Sequence, residues 1–222
     1  MSAVIAATVA DELRKRGLAG TRPAPPGELD SSGAERRIAG GIGAKRVDVS
    51  WCSEESGLIL AVSVKTINFK DSKSKTFQKN LPNRSNDMLF DSVTLHRRFP
   101  YAVLVGLFVL DAGAKIDGTR KRASTFENAH KRLAIFSGRN DPGERDEKYE
   151  RLYLVLLDST TSNPTTQFFP VGQPEATTSL DTILNDALGL VAERNSDFYE
   201  VVEGVLLTSA SAKTKSNRRD AN

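Results

Sequence analysis

Cysteine is nearly absent from this sequence: Cys52 is the only one in 222 residues, which excludes an internal disulfide and fits a reducing compartment. Histidine is almost as scarce. His96 and His130 are the only two: His96 reads as a packed or solvated helix-face residue, and His130 has no partner at metal-ligand spacing, which argues against zinc. Long apolar runs are missing too; the longest, YAVLVGLFVL, is half the length of a membrane span. The opening MSAVIAATVADEL is apolar but carries no basic leader and meets Asp11-Glu12 too early for a signal peptide. There is no internal repeat and no heptad run. Together these absences point to a soluble, cytoplasmic protein with no membrane partner. The length suits a single domain over 1–207, followed by a small, polar, basic tail, 208–222, expected to be disordered.

Net charge is only +3 and the isoelectric point about 9.0, but the charge is unevenly spread. Lys65 to Arg98 holds eight Lys and Arg against three Asp, so this stretch is +5 and the remainder −2. Such a local positive field suits a polyanion, whose phosphates supply most of the affinity.

Periodicity divides the chain into elements. Residues 3–16 read as an amphipathic helix with Ile5, Val9 and Leu13 inward, closed by Gly17. Ser32-x-x-Glu35 has capping-box spacing and predicts a short helix ended by Gly40-Gly41. From Arg46 the period becomes two. Val47 and Val49 face one side, Asp48 and Ser50 the other; beyond the turn CSEESG, Leu58, Leu60, Val62 and Val64 oppose Ile59, Ala61, Ser63 and Lys65. This is a hairpin whose parity puts Asp48, Ser63 and Lys65 on one side. A basic loop follows, then a helix capped at Ser85 or Asn86 and running to about Arg98, with Met88, Leu89, Val93 and His96 along it. Residues 101–110 and RLYLVLL read as buried strands. Ser124-x-x-Glu127 opens a helix, and residues 179–194 form the clearest one. Residues 198–207 are apolar without a clear period. Strands alternating with helices predict an α/β fold: a mixed β-sheet core flanked by helices on both faces.

An Asp on one hairpin strand, x-x-Lys ending the next, then a helix and a buried strand, resembles the PD-(D/E)xK nucleases, which include many type II restriction endonucleases. The resemblance covers roughly residues 30–110 and implies a restriction-endonuclease-like sheet. It also implies an Mg²⁺-dependent endodeoxyribonuclease of restriction or defence type, with Mn²⁺ as substitute, cutting double-stranded DNA as a homodimer. Position by position, Asp48 matches the metal-binding Asp and Lys65 the catalytic Lys. Val47 stands where the motif has Pro, and Ser63 where it has Glu. Since a hydroxyl is a weak ligand, a second carboxylate has to come from elsewhere. Glu35 is the first choice, for metal binding and catalysis, with Glu12, Asp87 and Asp91 as alternatives; the place where Ser-x-Lys relatives carry an acid falls near Gln78 or Lys79. A Lys beside a metal is further expected to have a depressed pKa and to handle a proton.

In this reading Lys70, Lys73, Lys75 and Lys79 serve phosphates, Arg84, Arg97 and Arg98 reach phosphate or guanine, and Gln78, Asn80, Asn83 and Asn86 are amides of the type that reads adenine. Two other classes stay open: a non-catalytic nucleic-acid-binding module of the same fold, and a structural protein using Asp48–Lys65 as a packed ion pair. Trp51 reads as a hairpin anchor and Cys52 as incidental. GGIGA precedes a strand, where a phosphate-binding loop needs a helix.

Overall fold

A computed structural model describes residues 1–25, 27, 36–67, 69–160 and 162–209. Helix α1 (Ser2–Lys15) is followed by a two-stranded ribbon, β1 (Arg36–Ala39) and β2 (Ala44–Val47), then β3 (Val49–Ser53) and β4 (Gly57–Ile67). Helix α2 (Leu81–His96), β5 (Val103–Asp111), α3 (Thr125–Leu133), β6 (Arg151–Asp158) and β7 (Thr165–Pro170) come next. Helix α4 (Leu180–Arg194) and a final ribbon, β8 (Tyr199–Val202) and β9 (Val205–Thr208), complete the described elements.

Five strands form one mixed sheet in the order β3-β4-β5-β6-β7. The central pairs β4–β5 and β5–β6 are parallel, and the flanking pairs antiparallel. Its faces alternate as pleating demands. Val62, Val64, Val105, Leu107 and Val155 pack with α1 and α4 on one face; Ala61, Leu104, Phe108, Leu154 and Leu156 pack with α2 and α3 on the other. The expected α/β class, mixed sheet and two-sided helical cover are therefore present.

Several local expectations change. Arg36–Ala39 is a strand, not the end of a helix, while Ser32 and Glu35 lie outside the described residues, as do residues 210–222 of the expected tail. Helix α2 begins at Leu81, four residues before Ser85, because Pro82 fits the first turn of a helix and a 3₁₀ turn over Gln78–Asn80 leads into it. Strand β7 is an edge strand with a mostly exposed face and little apolar signal, and it went unread. The ambiguous 198–207 stretch is the β8–β9 hairpin.

The strictly alternating hairpin is also interrupted. Trp51 pairs with Leu60 and Cys52 with Leu58, which leaves Ile59 as an extra residue in β4. Such a bulge puts two successive side chains on the same face. Ile59 and Leu60 accordingly enter one core and Leu58 the other. Trp51 does anchor this hairpin, its ring 5.2 Å from that of Tyr199.

A buried ion cluster holds the start of the parallel strands. Glu150 Oε1 accepts from Arg139 (3.0 Å) and Arg194 (2.7 Å), and Oε2 accepts from the Leu104 N–H (2.7 Å) and faces His96 Nε2 at 3.3 Å. Burial would push this carboxyl up, but His96, Arg194 and the Leu104 amide hold it down at about 2. His96, which looked like a packed or solvated helix residue, is buried in this cluster.

Candidate active site

The chain leaves the large sheet at Asp48. Val49 pairs with Val62, but Asp48 itself is a bend between β2 and β3, so it is not within a strand. Val47 packs in the α2/α3 core and Val49 in the α1/α4 core; the expected shared face is split by this bend. Strand β4 continues past the end of β3 and has a backbone donor without a strand partner. Asp48 Oδ2 accepts that donor, the Val64 N–H, at 2.7 Å. One carboxylate thereby ends the ladder and is turned toward β4.

Ser63 and Lys65 project from β4 onto the face covered by α2. Gly106 is the direct β5 partner of Ser63. A Cβ at Gly106 would collide with Leu152 and come within 2.6 Å of Met88 Cε and 3.3 Å of Tyr149 Cδ1. The missing side chain lets α2 settle close to the sheet, with Tyr149 donating its hydroxyl to the Met88 carbonyl at 3.0 Å. Burial, with Asp91 nearby, raises the Tyr149 pKa well above its usual value, so it stays a neutral phenol at the floor of the site.

This close approach delivers Asp91. The residue is 2% exposed, and its Oδ2 accepts from Lys65 Nζ at 2.7 Å and from the Ser63 hydroxyl at 3.4 Å. Lys65 Nζ lies 3.8 Å from Asp48 Oδ2, so one ammonium bridges two carboxylates from different elements. Lys45 of β2 closes the cluster from above: it is ion-paired with Asp91 Oδ1, and its ammonium lies 5.7 Å from the centre of the Phe90 ring. The β1–β2 turn rests directly on α2, the Gly41 N–H donating to the Thr94 carbonyl at 2.8 Å. A Cβ at Gly40 would strike that same carbonyl.

Between its two carboxylates the Lys65 pKa is shifted upward. Burial by itself would lower it, but Asp91 and Asp48 outweigh burial and raise it. With both carboxylates beside it, Lys65 is held as a cation and hydrogen-bond donor.

Chain comparisons with protein families, curated proteins and solved structures find no match. The residues must therefore carry the functional argument.

Of the residues proposed from sequence, Asp48, Ser63 and Lys65 come together. Glu35 lies outside the described residues. Glu12 does not reach the site: it pairs with Lys15 and Arg16 on α1, across the sheet. Asp87 pairs with Arg84 on the outside of α2. Asp91, one of the alternatives, is the acidic residue that meets Ser63 and Lys65. Lys45 and Tyr149 were missed, though Asp91 carried a readable signal. It falls on the stripe Leu81, Ser85, Met88, Leu95 that α2 buries, where a carboxylate needs a partner.

The basic residues separate into two groups. Lys70, Lys73, Lys75 and Lys79 occupy the loop beyond β4, with Lys79 paired to Asp71. Gln78 turns inward to the Ala123 carbonyl (3.3 Å), while Asn83 and Arg84 are exposed on the first turn of α2. Arg97 and Arg98 follow the last turn, roughly 24 Å away along a helix of this length. Arg97 pairs with Asp146 at 3.6 Å and Arg98 lies over Phe99.

A divalent cation can be tested against this donor set. Two carboxylates and a hydroxyl are hard oxygen donors, but the ammoniums of Lys45 and Lys65 already balance both carboxylates, so a cation entering here would have to displace one of them. Among the described residues no group of three or more His, Cys, Asp or Glu forms a fuller cage. The donor chemistry is of the kind Mg²⁺ takes, one or two protein carboxylates with water and phosphate filling the shell, once an ammonium gives way.

Proposed function

We propose that this chain is a Mg²⁺-dependent endodeoxyribonuclease of the PD-(D/E)xK type, with a restriction-endonuclease-like sheet and a restriction or defence role. The observation that carries the reading is Asp91, set by α2 against Ser63 and Lys65, where the shorter Ser63 leaves room for a carboxylate in place of the usual Glu. Asp48 and Asp91 would hold Mg²⁺ or Mn²⁺. When bound, the ion supplies Lewis acidity and a water of lowered pKa. Lys65, set between the two carboxylates, would donate to the attacking water or to a phosphate oxygen and offset the charge that develops on phosphorus. Ser63 orients Asp91, and neutral Tyr149 seals the floor against bulk water. Cutting both strands takes two such sites, which a cytoplasmic homodimer would provide.

Plasmid cleavage with Mg²⁺ or Mn²⁺ tests this, comparing wild type with Asp48→Ala, Lys65→Ala and Asp91→Ala at matched folding by circular dichroism. Fragments from wild type alone support the reading. Equal cleavage by Asp91→Ala refutes the assignment of the second carboxylate.

One feature favours the rival reading, a non-catalytic nucleic-acid-binding module. Lys45 and Lys65 together balance Asp48 and Asp91 without any metal. That reading predicts DNA binding that is sensitive to salt, indifferent to Mg²⁺ and unaccompanied by cleavage.

A further inference from the structure

A second basic loop, absent from the site as read from sequence, lies beside the first. Residues 115–122, KIDGTRKR, carry four cations against Asp117 alone. The Thr119 N–H donates to the Arg122 carbonyl (2.8 Å) and the Arg122 N–H returns to Thr119 (3.1 Å), closing a tight turn with Arg120 and Lys121 at its tip. Both tip residues are exposed, and neither makes an ion pair among the described residues. Ile116 beside them is 84% exposed.

This loop is fastened to the Lys70–Lys79 loop by one buried carboxylate. Asp117 accepts from the Phe77 N–H at 3.0 Å, from the Thr125 N–H at 2.7 Å and from the Thr125 hydroxyl at 2.5 Å. Gln78 adds the bond to Ala123. The first loop is internally fixed as well, folded around Asp71, which accepts from the Ser74 N–H and hydroxyl. The two loops leave the carboxyl ends of the adjacent parallel strands β4 and β5, two residues beyond Lys65 in the first case. They therefore behave as one rigid positive face beside the candidate active site.

We propose that the 115–122 turn, with Arg120 and Lys121 as its contacts, binds the phosphate backbone of duplex DNA together with the Lys70–Lys79 loop. The four cations of this turn line one shallow, open concavity, and those of the Lys70–Lys79 loop extend the charge beyond it, which suits a polymer of repeating charge better than a single small anion. A duplex presents its phosphates already ordered, about one charge per 1.7 Å of axis, whereas an acidic peptide would have to become ordered as it binds. The inference rests on the proposed nucleic-acid partner but not on cleavage.

The test uses the full chain, a fluorescein-labelled duplex of roughly 20 base pairs and EDTA, with anisotropy read across a salt series. The variants are Arg120→Glu/Lys121→Glu, Lys121→Glu alone, and Lys15→Glu on α1 across the sheet. The double variant is expected to weaken binding at least about tenfold and to flatten the log–log salt slope by about two. Lys121→Glu should lose affinity where Lys15→Glu does not. Wild-type affinity in the double variant, equal losses from Lys121→Glu and Lys15→Glu, or displacement of the duplex by polyglutamate at matched charge would each overturn the proposal. Plasmid cleavage measured in parallel separates the two readings. Loop-dependent binding without cleavage sinks the nuclease and keeps the DNA face, while cleavage with loop-independent binding does the reverse.

Discussion

Two clusters of buried charge sit in this fold, and they are built differently. Around Glu150 a single carboxylate is surrounded by two guanidiniums and an imidazole, and the arginines also donate to the carbonyls of Pro100, Pro142 and Ala102. Glu150 and Arg139 have no exposed side-chain surface. Around Asp91 the cations are ammoniums, and three of the four charged groups reach solvent: Lys65 is 13%, Asp48 16% and Lys45 23% exposed, with only Asp91 buried. A guanidinium is a rigid fork that fixes geometry, whereas an ammonium is a mobile point charge that can give way. The first cluster fastens strands together. The second is open on one side and can exchange a partner, as a site must.

The largest expected effect breaks the closed cluster. Glu150→Ala should cost about 3–5 kcal/mol in urea denaturation, because it strands buried cations. The wild-type pH dependence follows from the same group. Glu150 titrates at about 2 when folded against 4.5 unfolded. Its contribution is therefore complete above about pH 5 and lost as pH falls from there toward 2. Next, Gly106→Ala should destabilise by about 1–3 kcal/mol through overpacking against Leu152 and Met88. It should also slow cleavage by pushing α2, and Asp91 with it, off the sheet.

In the open cluster, Asp91→Asn removes a charge without a large change of shape. The expected stability loss is about 2 kcal/mol, with cleavage reduced at least about a hundredfold. Equal losses of stability in Glu150→Ala and Asp91→Asn, with cleavage intact in both, would erase the distinction between the clusters. Lys45→Ala should cost at most about 1 kcal/mol and lower the Mg²⁺ concentration needed for half-maximal cleavage. An unchanged Mg²⁺ requirement would mean that Lys45 does not compete for Asp91.

The smallest effect lies outside both clusters. Burial lowers the His130 pKa from 6.5 to about 4, so the unfolded state binds the extra proton first and stability declines as pH falls between those values. His130→Gln, which can still accept from the Gly172 N–H, should abolish that part of the slope in thermal melts at pH 7 and pH 4.5.

Much of the fold was legible because period and capping agree with it. The Ser124 and Ser179 caps, the buried runs at 103–110 and 151–157, and the apolar stripe of α4 are all local signals that tertiary structure did not override. Ser63 and Lys65 were legible through the alternation of β4, whereas Asp48 reaches them through a bend and not through strand parity. What escaped is non-local. Strand β7 has its inward side chain mainly at Phe169, too little pattern to register. The bulge at Ile59 and the bend at Asp48 alter parity without any glycine or proline to mark them. Lys45 gains its role only because a glycine turn lies against α2. The direction of the Lys65 pKa depended on which carboxylates arrive beside it, and one of them is 26 residues further along the chain.

The bond between Asp48 and the Val64 amide makes the protein its own gauge. That amide proton belongs to the sheet, yet its acceptor is a side chain of the candidate site. Its resonance would therefore move when the carboxylate turns, gains a counter-ion or is removed, while neighbouring ladder amides stay still. Following a single backbone signal during a magnesium titration would read the chemistry from inside the scaffold, before any substrate is known.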